Sequence, residues 1–296
     1  MKTNTKLAAI ALAISAISAQ AADPVYYANW EHQDVQAAWK AGYTGQGTKI
    51  TVVDDFYNRS FLIGRLTNTI EIKQHGDWIA KEASLVAPGA QIETIKYVSG
   101  STINLQPKGL NVVNVSYGIF APTTIDSKYI ITNATEKSVI AAANGAAVVV
   151  KAAGNDAIPM NGVISNGTRD FYIKALATGQ SAIFAGALNK NGTLASKATM
   201  ASYSNTAGTD VNIQNKFLTV GVVSTTTNLS GTSFAAPIIS GYAAIVGSKF
   251  TNATPTQVTN QLLATARTDT VANYRPEIYG RGEASLSRAL APVSIK

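Results

Sequence analysis

The chain has 296 residues, of which 46% are hydrophobic and 14% charged, and its formal net charge is +7. A chain this apolar can bury a core, so we expect a folded protein and not a disordered one. It contains no cysteine and two histidines, His32 and His75, which excludes disulfides, thiolate metal sites and a cysteine nucleophile. The basic residues are scattered, so we expect no nucleic-acid partner.

The N-terminus has the layout of a secretory signal peptide. Lys2 and Lys6 form a basic head, Leu7 to Ala19 carry no charge, and Ala19-Gln20-Ala21 fits a small-x-small cleavage site. The uncharged stretch is shorter than the ~20 residues that a membrane-spanning helix needs. We therefore expect residues 1–21 to be removed and the protein to be exported, periplasmic or extracellular, with no membrane span.

Apolar runs alternate with a helical pattern in the first half of the chain. Lys49 to Val53, Leu110 to Val115 and Ala146 to Ala152 are typical of short buried strands, and Ser127 to Ala143 has apolar residues at helical spacing. Strands separated by a helix pair in parallel through a crossover, which predicts an α/β fold with helices on both faces of one sheet.

A second helix is predicted after Thr254-Pro255, where a capping residue precedes a proline at the first helical position. We see no linker or internal repeat. We therefore expect an N-terminal segment, residues 22–41, followed by one domain over residues 42–296.

The segment most informative about chemistry is Gly231 to Pro237, GTSFAAP. Small residues surround Ser233, and an apolar helix follows. A serine at a helix N-terminus faces free backbone N–H groups and the positive end of the helix dipole, a setting that favours developing negative charge. Taken alone, the same pattern fits an ordinary cap on a packed helix.

Further blocks surround this one in a fixed order. In chain order they are Gly42–Asp54 (GYTGQGTKITVVD), His75–Ile92, Asn111–Gly118 (NVVNVSYG), Val148–Asn155 (VVVKAAGN), Ala201–Asn205 (ASYSN), Gly231–Pro237 and Tyr279–Gly282. Together they resemble the subtilisin-like serine peptidases, or subtilases, over roughly residues 40–292. Two of the strings, ASYSNTAG and GTSFAAP, also resemble the protease passengers of bacterial autotransporters.

The resemblance implies a three-layer fold with a mostly parallel central sheet, and the function of a secreted serine endopeptidase. It implies that Ser233 is the nucleophile, His75 its general base and Asp54 the group that orients His75, an arrangement that matches the chemical needs of a serine hydroxyl. Asn155 would donate its side-chain amide to the oxyanion. We interpret His32, which lies outside every block, as structural.

The resemblance also implies a cleft that binds an extended peptide by strand addition. Its two edges would be Ser116, Tyr117 and Gly118 on one side, and Ala152, Ala153 and Gly154 on the other. We expect polypeptide substrates and a monomer.

The chain departs from the family pattern at several points. Asp54 is followed by Asp55-Phe56 instead of a small residue and glycine, so Asp55 is an alternative triad acid, with Asp54 preferred. Trp78 replaces the second histidine of the family's His-Gly-Thr-His string. The chain is short between His75 and Pro88, where many relatives insert a calcium loop, so we expect no cofactor and no metal at that position. A catalytically inactive subtilase scaffold that binds peptides or proteins is the alternative function.

Overall fold

The computed structural model describes residues 29–57, 61–126 and 129–296. The predicted signal peptide, residues 1–21, and its cleavage site lie outside the described residues. The helices and strands below are numbered in chain order.

The strands of the described residues form one large sheet and two small ones. Their bounds are β1 Lys49–Asp54, β2 Phe61–Gly64, β3 Glu71–Gln74, β4 Gln91–Lys96, β5 Asn111–Val115, β6 Phe120–Pro122, β7 Val148–Ala152, β8 Thr168–Asp170, β9 Ala182–Leu188 and β10 Phe217–Gly221. The large sheet has six parallel strands in the order β10-β9-β7-β5-β1-β4. β2 pairs with β3, and β6 with β8, both antiparallel.

The helices lie on both faces of the large sheet. Their bounds are α1 Gln33–Lys40, α2 His75–Val86, α3 Ala134–Ala142, α4 Phe171–Ala177, α5 Val211–Gln214, α6 Ser224–Thr227, α7 Ala235–Lys249, α8 Pro255–Ala264, α9 Pro276–Tyr279 and α10 Leu286–Leu290. Within the described ranges, none of them is both long and apolar enough to cross a membrane.

Alternate residues of the buried strands feed two separate cores. In β7, Val148 and Val150 belong to the core shared with α1, α2, α7, α8 and α10, whereas Val149 belongs to the core shared with α3, α4 and α5. This alternation follows from the period of two along a strand. The predicted α/β fold, with a parallel central sheet covered on both faces, is confirmed.

The helix predicted over residues 127–143 is shorter in the structure, where α3 begins after Asn133. The Asn133 side chain accepts a hydrogen bond from the Thr135 N–H at 2.8 Å. Asparagine is a strong helix-capping residue, so the local chemistry starts the helix there although the apolar spacing extends further back. The predicted helix after Thr254 is present as α8, with a capping box between Thr254 and Gln257.

The described part of the N-terminal segment packs onto the rest of the fold. Trp39 of α1 lies in the main core, and its Nε1 donates to the Val86 carbonyl at 3.0 Å. His32 caps α1 by accepting from the Asp34 N–H, and its Nε2 lies 3.0 Å from Arg267 Nη2. His32 is thus buried in structural contacts.

Helix α7 is the central packing element, and it is buried from Ala235 to Ser248. It packs against α2 and against strands of the large sheet. Gly241 makes the close approach to α2 possible, because a Cβ there would lie 2.4 Å from Val86 Cγ1. The two helices that begin at His75 and just after Ser233 are therefore locked side by side.

The strand order also brings three segments to one edge of the sheet. β1, β5 and β7 are parallel neighbours, and they end at Asp54, Val115 and Ala152. Ligand sites of open parallel sheets lie outside the carboxyl ends of the strands, which is where the predicted blocks converge.

Candidate active site

Asp54 and His75 form a hydrogen-bonded pair at the end of β1 and the start of α2. His75 Nδ1 lies 2.6 Å from Asp54 Oδ1. Asp54 is only 1% exposed, and its Oδ1 also accepts from the Asp55 N–H at 2.6 Å. A carboxylate held in this way fixes the orientation of the imidazole and leaves Nε2 as the nitrogen available for proton transfer.

The surroundings of His75 raise the pKa of its imidazole. Burial of His75 disfavours the imidazolium, but the hydrogen bond and negative charge of Asp54, with a further contribution from Asp55, raise the pKa of His75 above its ordinary value. The causes that raise the pKa thus outweigh desolvation. Such a shift suits a group that takes up a proton during a reaction.

Of the two candidate acids, Asp54 is the one whose carboxylate contacts His75 Nδ1. Asp55 serves the local turn: its Oδ1 accepts from the Tyr57 N–H at 2.8 Å, and its carbonyl accepts from the Gly76 N–H at 2.9 Å. Within the part of the chain that the structure describes, Asp54 Oδ2 is buried without a hydrogen-bond partner.

Ser233 lies in a single 3-10 turn, Thr232–Phe234, directly before α7. It exchanges two hydrogen bonds with the end of β5. Ser233 Oγ donates to the Ser116 carbonyl at 3.1 Å, and Ser116 Oγ donates to the Ser233 carbonyl at 3.0 Å. Behind them, Asn114 Nδ2 donates to Ser116 Oγ, and Ser240 Oγ of α7 donates to Asn114 Oδ1. This buried polar chain fixes the backbone that presents Ser233.

The described residues include no hydrogen bond between Ser233 Oγ and His75, because the hydroxyl is directed to Ser116. The two residues are nevertheless neighbours. The ring of Phe234, next to Ser233 in the chain, meets the His75 ring edge-on with centroids 6.1 Å apart. Hydrogen bonds of catalytic groups are often absent or long without substrate, and rotation about the Cα–Cβ bond of Ser233 redirects the hydroxyl.

Asn155 is held by the residue that precedes Ser233. Its Oδ1 accepts from both the backbone N–H and the hydroxyl of Thr232, at 2.8 and 3.0 Å. With Oδ1 occupied, Nδ2 is the free end of the amide, and among the described residues it makes no hydrogen bond. The arrangement presents the N–H groups of Nδ2 beside the serine.

A pocket of about 230 Å³ opens next to Ser233. Its lining includes Ser116, Tyr117, Gly118, Ala152, Gly154, Asn155 and Ser233, as well as Phe120, Lys151, Asp156, Asp170 and Thr232. The structure therefore brings the two predicted edges together with the candidate nucleophile. Tyr117 is braced by the rings of Tyr97 and Tyr172, whose centroids lie 5.0 and 5.8 Å from its own.

Ala153, predicted as part of one edge, does not line this pocket. It is fully buried in the core shared with α3 and α4. Its N–H donates to the Ala185 carbonyl, and its own carbonyl accepts from Asn205 Nδ2. The physical reason is the alternation of a strand, which turns Ala153 to the opposite face from Ala152.

Sequence reasoning missed five residues that line this pocket, namely Phe120, Lys151, Asp156, Asp170 and Thr232. Thr232, which holds Asn155, is adjacent to Ser233 in the same string and could have been inferred from that position. Lys151 is visible as a single charge in a run of buried valines, a pattern that calls for a partner. Asp170, its partner, carries no local signal.

The described residues offer no ligand set for a metal ion. Within residues 29–57, 61–126 and 129–296, no group of three or more histidine, aspartate or glutamate side chains is placed to hold one. The expected absence of the family's calcium loop stays a prediction.

Comparison with known proteins identifies the family. The model of the subtilase family (peptidase S8) matches residues 62–282, which is more than half of the chain and begins after Asp54. Subtilisin Savinase from Lederbergia lenta is 28% identical over 285 residues, covering 86% of this chain and 95% of that protein. An alkaline protease from Alkalihalobacillus alcalophilus is also 28% identical, covering 86% of this chain and 67% of that protein.

Solved structures share the fold. A protease from Pseudoalteromonas arctica matches with a TM-score of 0.57 at 18% identity, over 91% of this chain and 96% of its own. The prenylagaramide maturation protease PagA matches with a TM-score of 0.56 at 18% identity, over 86% and 96%. The chain belongs to the subtilase family and is a serine-type endopeptidase, so its substrates are polypeptides.

Proposed function

We propose that the protein is an exported endopeptidase that cleaves peptide bonds through an acyl-enzyme on Ser233. The observation that carries this proposal is the convergence of Asp54, His75, Asn155 and Ser233 at one edge of the sheet, beside a pocket. Export is supported by the signal-peptide pattern of residues 1–21. We expect the protein to act as a monomer, because the proposed site needs no residue from a second copy.

In the first half of the proposed reaction, Ser233 is the nucleophile and His75 its base. Ser233 Oγ, turned from the Ser116 carbonyl towards His75 Nε2, attacks the substrate carbonyl carbon while its proton passes to Nε2. The carbonyl oxygen becomes an oxyanion, which accepts hydrogen bonds from Asn155 Nδ2 and the Ser233 N–H. Asp54 stabilises the imidazolium without taking its proton.

The second half releases the products. The C–N bond breaks as His75 gives its proton to the departing amine, which leaves an ester between Ser233 and the acyl part of the substrate. Water then attacks this ester with His75 as its base, and the proton returns to Ser233 Oγ as the carboxylic acid leaves.

The substrate backbone would lie between the segments 116–118 and 152–154 as an added strand. Vacating the Ser116 carbonyl frees it to accept a substrate N–H. Substrate binding would therefore compete directly with the resting hydrogen bond of Ser233 and release the hydroxyl for attack.

The test compares two serine variants on casein and on short peptides. Ser233→Ala removes the nucleophile, and activity should fall by about 10⁶-fold, the size of this effect in subtilisin. Ser230→Ala removes an exposed serine three positions away and should leave activity unchanged. Absence of cleavage by the wild type from about pH 6 to about pH 10, on either side of the ordinary histidine pKa, would instead support the inactive scaffold.

A further inference from the structure

Lys151 is a buried cation in the pocket beside Ser233. It is the fourth residue of β7, its side chain is 2% exposed, and it lines the pocket. Its Nζ donates to the Ala152 carbonyl at 2.6 Å and lies 3.0 Å from Asp170 Oδ2. A lysine is almost never this buried without a partner, so the ion pair with Asp170 is what makes the position possible.

Asp170 is held in place by the backbone on both sides. It caps α4, and its Oδ1 accepts from the Tyr172 N–H and from the Ile119 N–H, each at 3.0 Å. This leaves Oδ2 for Lys151. The two backbone hydrogen bonds to Oδ1 therefore fix the carboxylate, and Oδ2 forms the ion pair with Lys151.

The backbone of the pocket passes very close to Asp170 Oδ2 at Gly118. A Cβ at Gly118 would lie 2.7 Å from this oxygen and 2.6 Å from a ring carbon of Phe120. Only glycine allows the peptide-binding edge to approach the carboxylate so closely. Asp170 thus lies next to Gly118 at the floor of the pocket, where a substrate side chain would rest.

The charges at the floor of the pocket cancel. Lys151 is the one cation in the lining given above, and it is paired with Asp170. Asp156 also lines the pocket, but it is exposed, so water and salt screen it. Without Lys151, the floor would carry a buried and desolvated carboxylate, the natural partner of a basic side chain.

We propose that Lys151 and Asp170 determine which side chain this pocket accepts, with Lys151 masking an acidic floor that would otherwise select arginine or lysine. This inference rests on the proposed function, because the pocket receives the residue on the amino side of the cleaved bond. A basic or an acidic side chain would lose its hydration beside an ion pair that is already complete, and it would find no buried partner of its own there. Uncharged side chains are accepted.

The test is a series of peptides that differ only in the residue before the cleaved bond, which is leucine, glutamine, arginine or glutamate. The wild type should cleave the leucine and glutamine peptides with kcat/KM at least ~10-fold above that of the arginine and glutamate peptides. The reason is the cost of burying a charged side chain without a partner beside the Lys151–Asp170 pair. Lys151→Met unmasks Asp170, and the arginine peptide should gain ~10–100-fold relative to leucine, the range of a charge-assisted hydrogen bond.

The reverse variant gives the opposite signal. Asp170→Asn keeps an oxygen for the N–H groups of Tyr172 and Ile119 but leaves Lys151 unpaired, so the glutamate peptide should gain relative to leucine. The double variant Lys151→Met/Asp170→Asn should gain neither. These shifts in preference separate a role in specificity from a merely structural one, which would lower all four activities together.

Lys49→Met is the matched control. Lys49 is also a buried strand lysine, and its Nζ donates to the Asn104 carbonyl at 2.7 Å and lies 2.6 Å from Glu93 Oε2. It lies outside the pocket, so its loss should change stability without changing the order of the four peptides. Circular dichroism melts of every variant establish which are folded.

Two outcomes overturn the inference while leaving the proposed function intact: a wild type that prefers arginine or glutamate, or a folded Lys151→Met variant with an unchanged preference. The wild-type preference decides the matter even if Lys151→Met does not fold. Failure of the proposed function looks different, because the wild type would then cleave none of the peptides.

Discussion

Asp54 and Asp170 are each paired with a nitrogen base, but the two pairs differ in how the carboxylate oxygens are used. Asp54 contacts His75 through Oδ1, while its Oδ2 is buried and has no hydrogen-bond partner among the described residues. Asp170 uses both oxygens, Oδ1 for two backbone N–H groups and Oδ2 for Lys151. The first pair is poised for a change in charge on the imidazole, whereas the second is saturated and fixed.

The difference fits the role that we propose for each pair. A pair that takes part in proton transfer needs a base whose pKa lies near the working pH, which histidine provides and lysine does not. A pair that shapes a pocket needs constant charge, which lysine provides. The comparison therefore predicts large effects on turnover at one pair and effects on selectivity at the other.

The largest expected effect is at the base itself. His75→Ala should lower kcat/KM by about 10⁶-fold, as loss of the histidine does in subtilisin. His32→Asn is the control, because asparagine can keep the cap on the Asp34 N–H, and it should remain within a few-fold of the wild type. If His75→Ala kept its activity, this would contradict the claim that the Asp54–His75 pair acts in turnover and the Lys151–Asp170 pair in selectivity.

The next effect is at Asp54. Asp54→Asn should lower kcat by about 10⁴-fold, as the equivalent change does in the chymotrypsin triad.

Activity requires a neutral imidazole, so kcat/KM of the wild type should rise with pH through a midpoint above 6.5, the ordinary pKa of histidine. Because Asp54 raises the pKa of His75, the residual activity of Asp54→Asn should have its midpoint at lower pH. An unchanged midpoint would contradict the assigned cause.

A smaller effect is expected at the oxyanion donor. Asn155→Ala should lower kcat by ~10²–10³-fold with little change in KM, the size of this effect in subtilisin. Thr232→Val removes one of the two bonds that orient Asn155 and should cost less, whereas Thr232→Ser keeps the hydroxyl and should restore most of the activity. Equal losses in Thr232→Val and Thr232→Ser would show that the hydroxyl does not position Asn155.

The smallest effect concerns Glu31 and Glu82, two carboxyl groups that form no salt bridge with any described residue. Both carboxyl oxygens of Glu31 are buried without a hydrogen-bond partner in residues 29–57, 61–126 and 129–296, and burial raises the pKa of Glu31 to about 8. Burial, and the charge of Glu31, also raise the pKa of Glu82 well above its ordinary value. Desolvation thus stabilises Glu31 and Glu82 in their protonated forms.

The sign of the pH dependence follows from linkage. A carboxyl group with a raised pKa stabilises the fold fully below about pH 4.5, and this contribution is lost as the pH rises through about 8. Glu31→Gln removes this titrating group, so the free energy of unfolding should depend less on pH in this range. The change should be about 1.4 kcal/mol for each unit by which the pKa of Glu31 exceeds its ordinary value. Urea unfolding at several pH values measures this, and Glu277→Gln, a more exposed control, should behave as the wild type does. A wild type whose stability rises from pH 5 to about pH 8 would contradict the assignment.

The two pairs also differ in how far the sequence could predict them. Asp54 ends a run of apolar strand residues, and His75 and Ser233 lie where predicted helices begin, so local patterns in a known order were enough. Lys151 was visible, but its partner was not. The position of Asp170 depends on the start of α4 and on contact with the chain after β5, both of which are set by tertiary packing.

Smaller differences have similar causes. Spacing alone could not predict that Asn133 starts α3, because capping competes with apolar periodicity. The position of Ala153 depends on which face of β7 the chain presents at its end. The hydroxyl of Ser233 points to Ser116 in the structure, a choice of rotamer that no sequence pattern encodes.

The most direct test of the account is labelling with a fluorophosphonate, which reacts with a serine only when its hydroxyl is activated by a base. Peptide mass spectrometry of the labelled protein should find a single adduct on Ser233 in the wild type and in His32→Asn. It should find none in His75→Ala at the same exposure. A wild type that stays unlabelled, or a His75→Ala variant labelled at the wild-type rate, would contradict the claim that His75 activates Ser233.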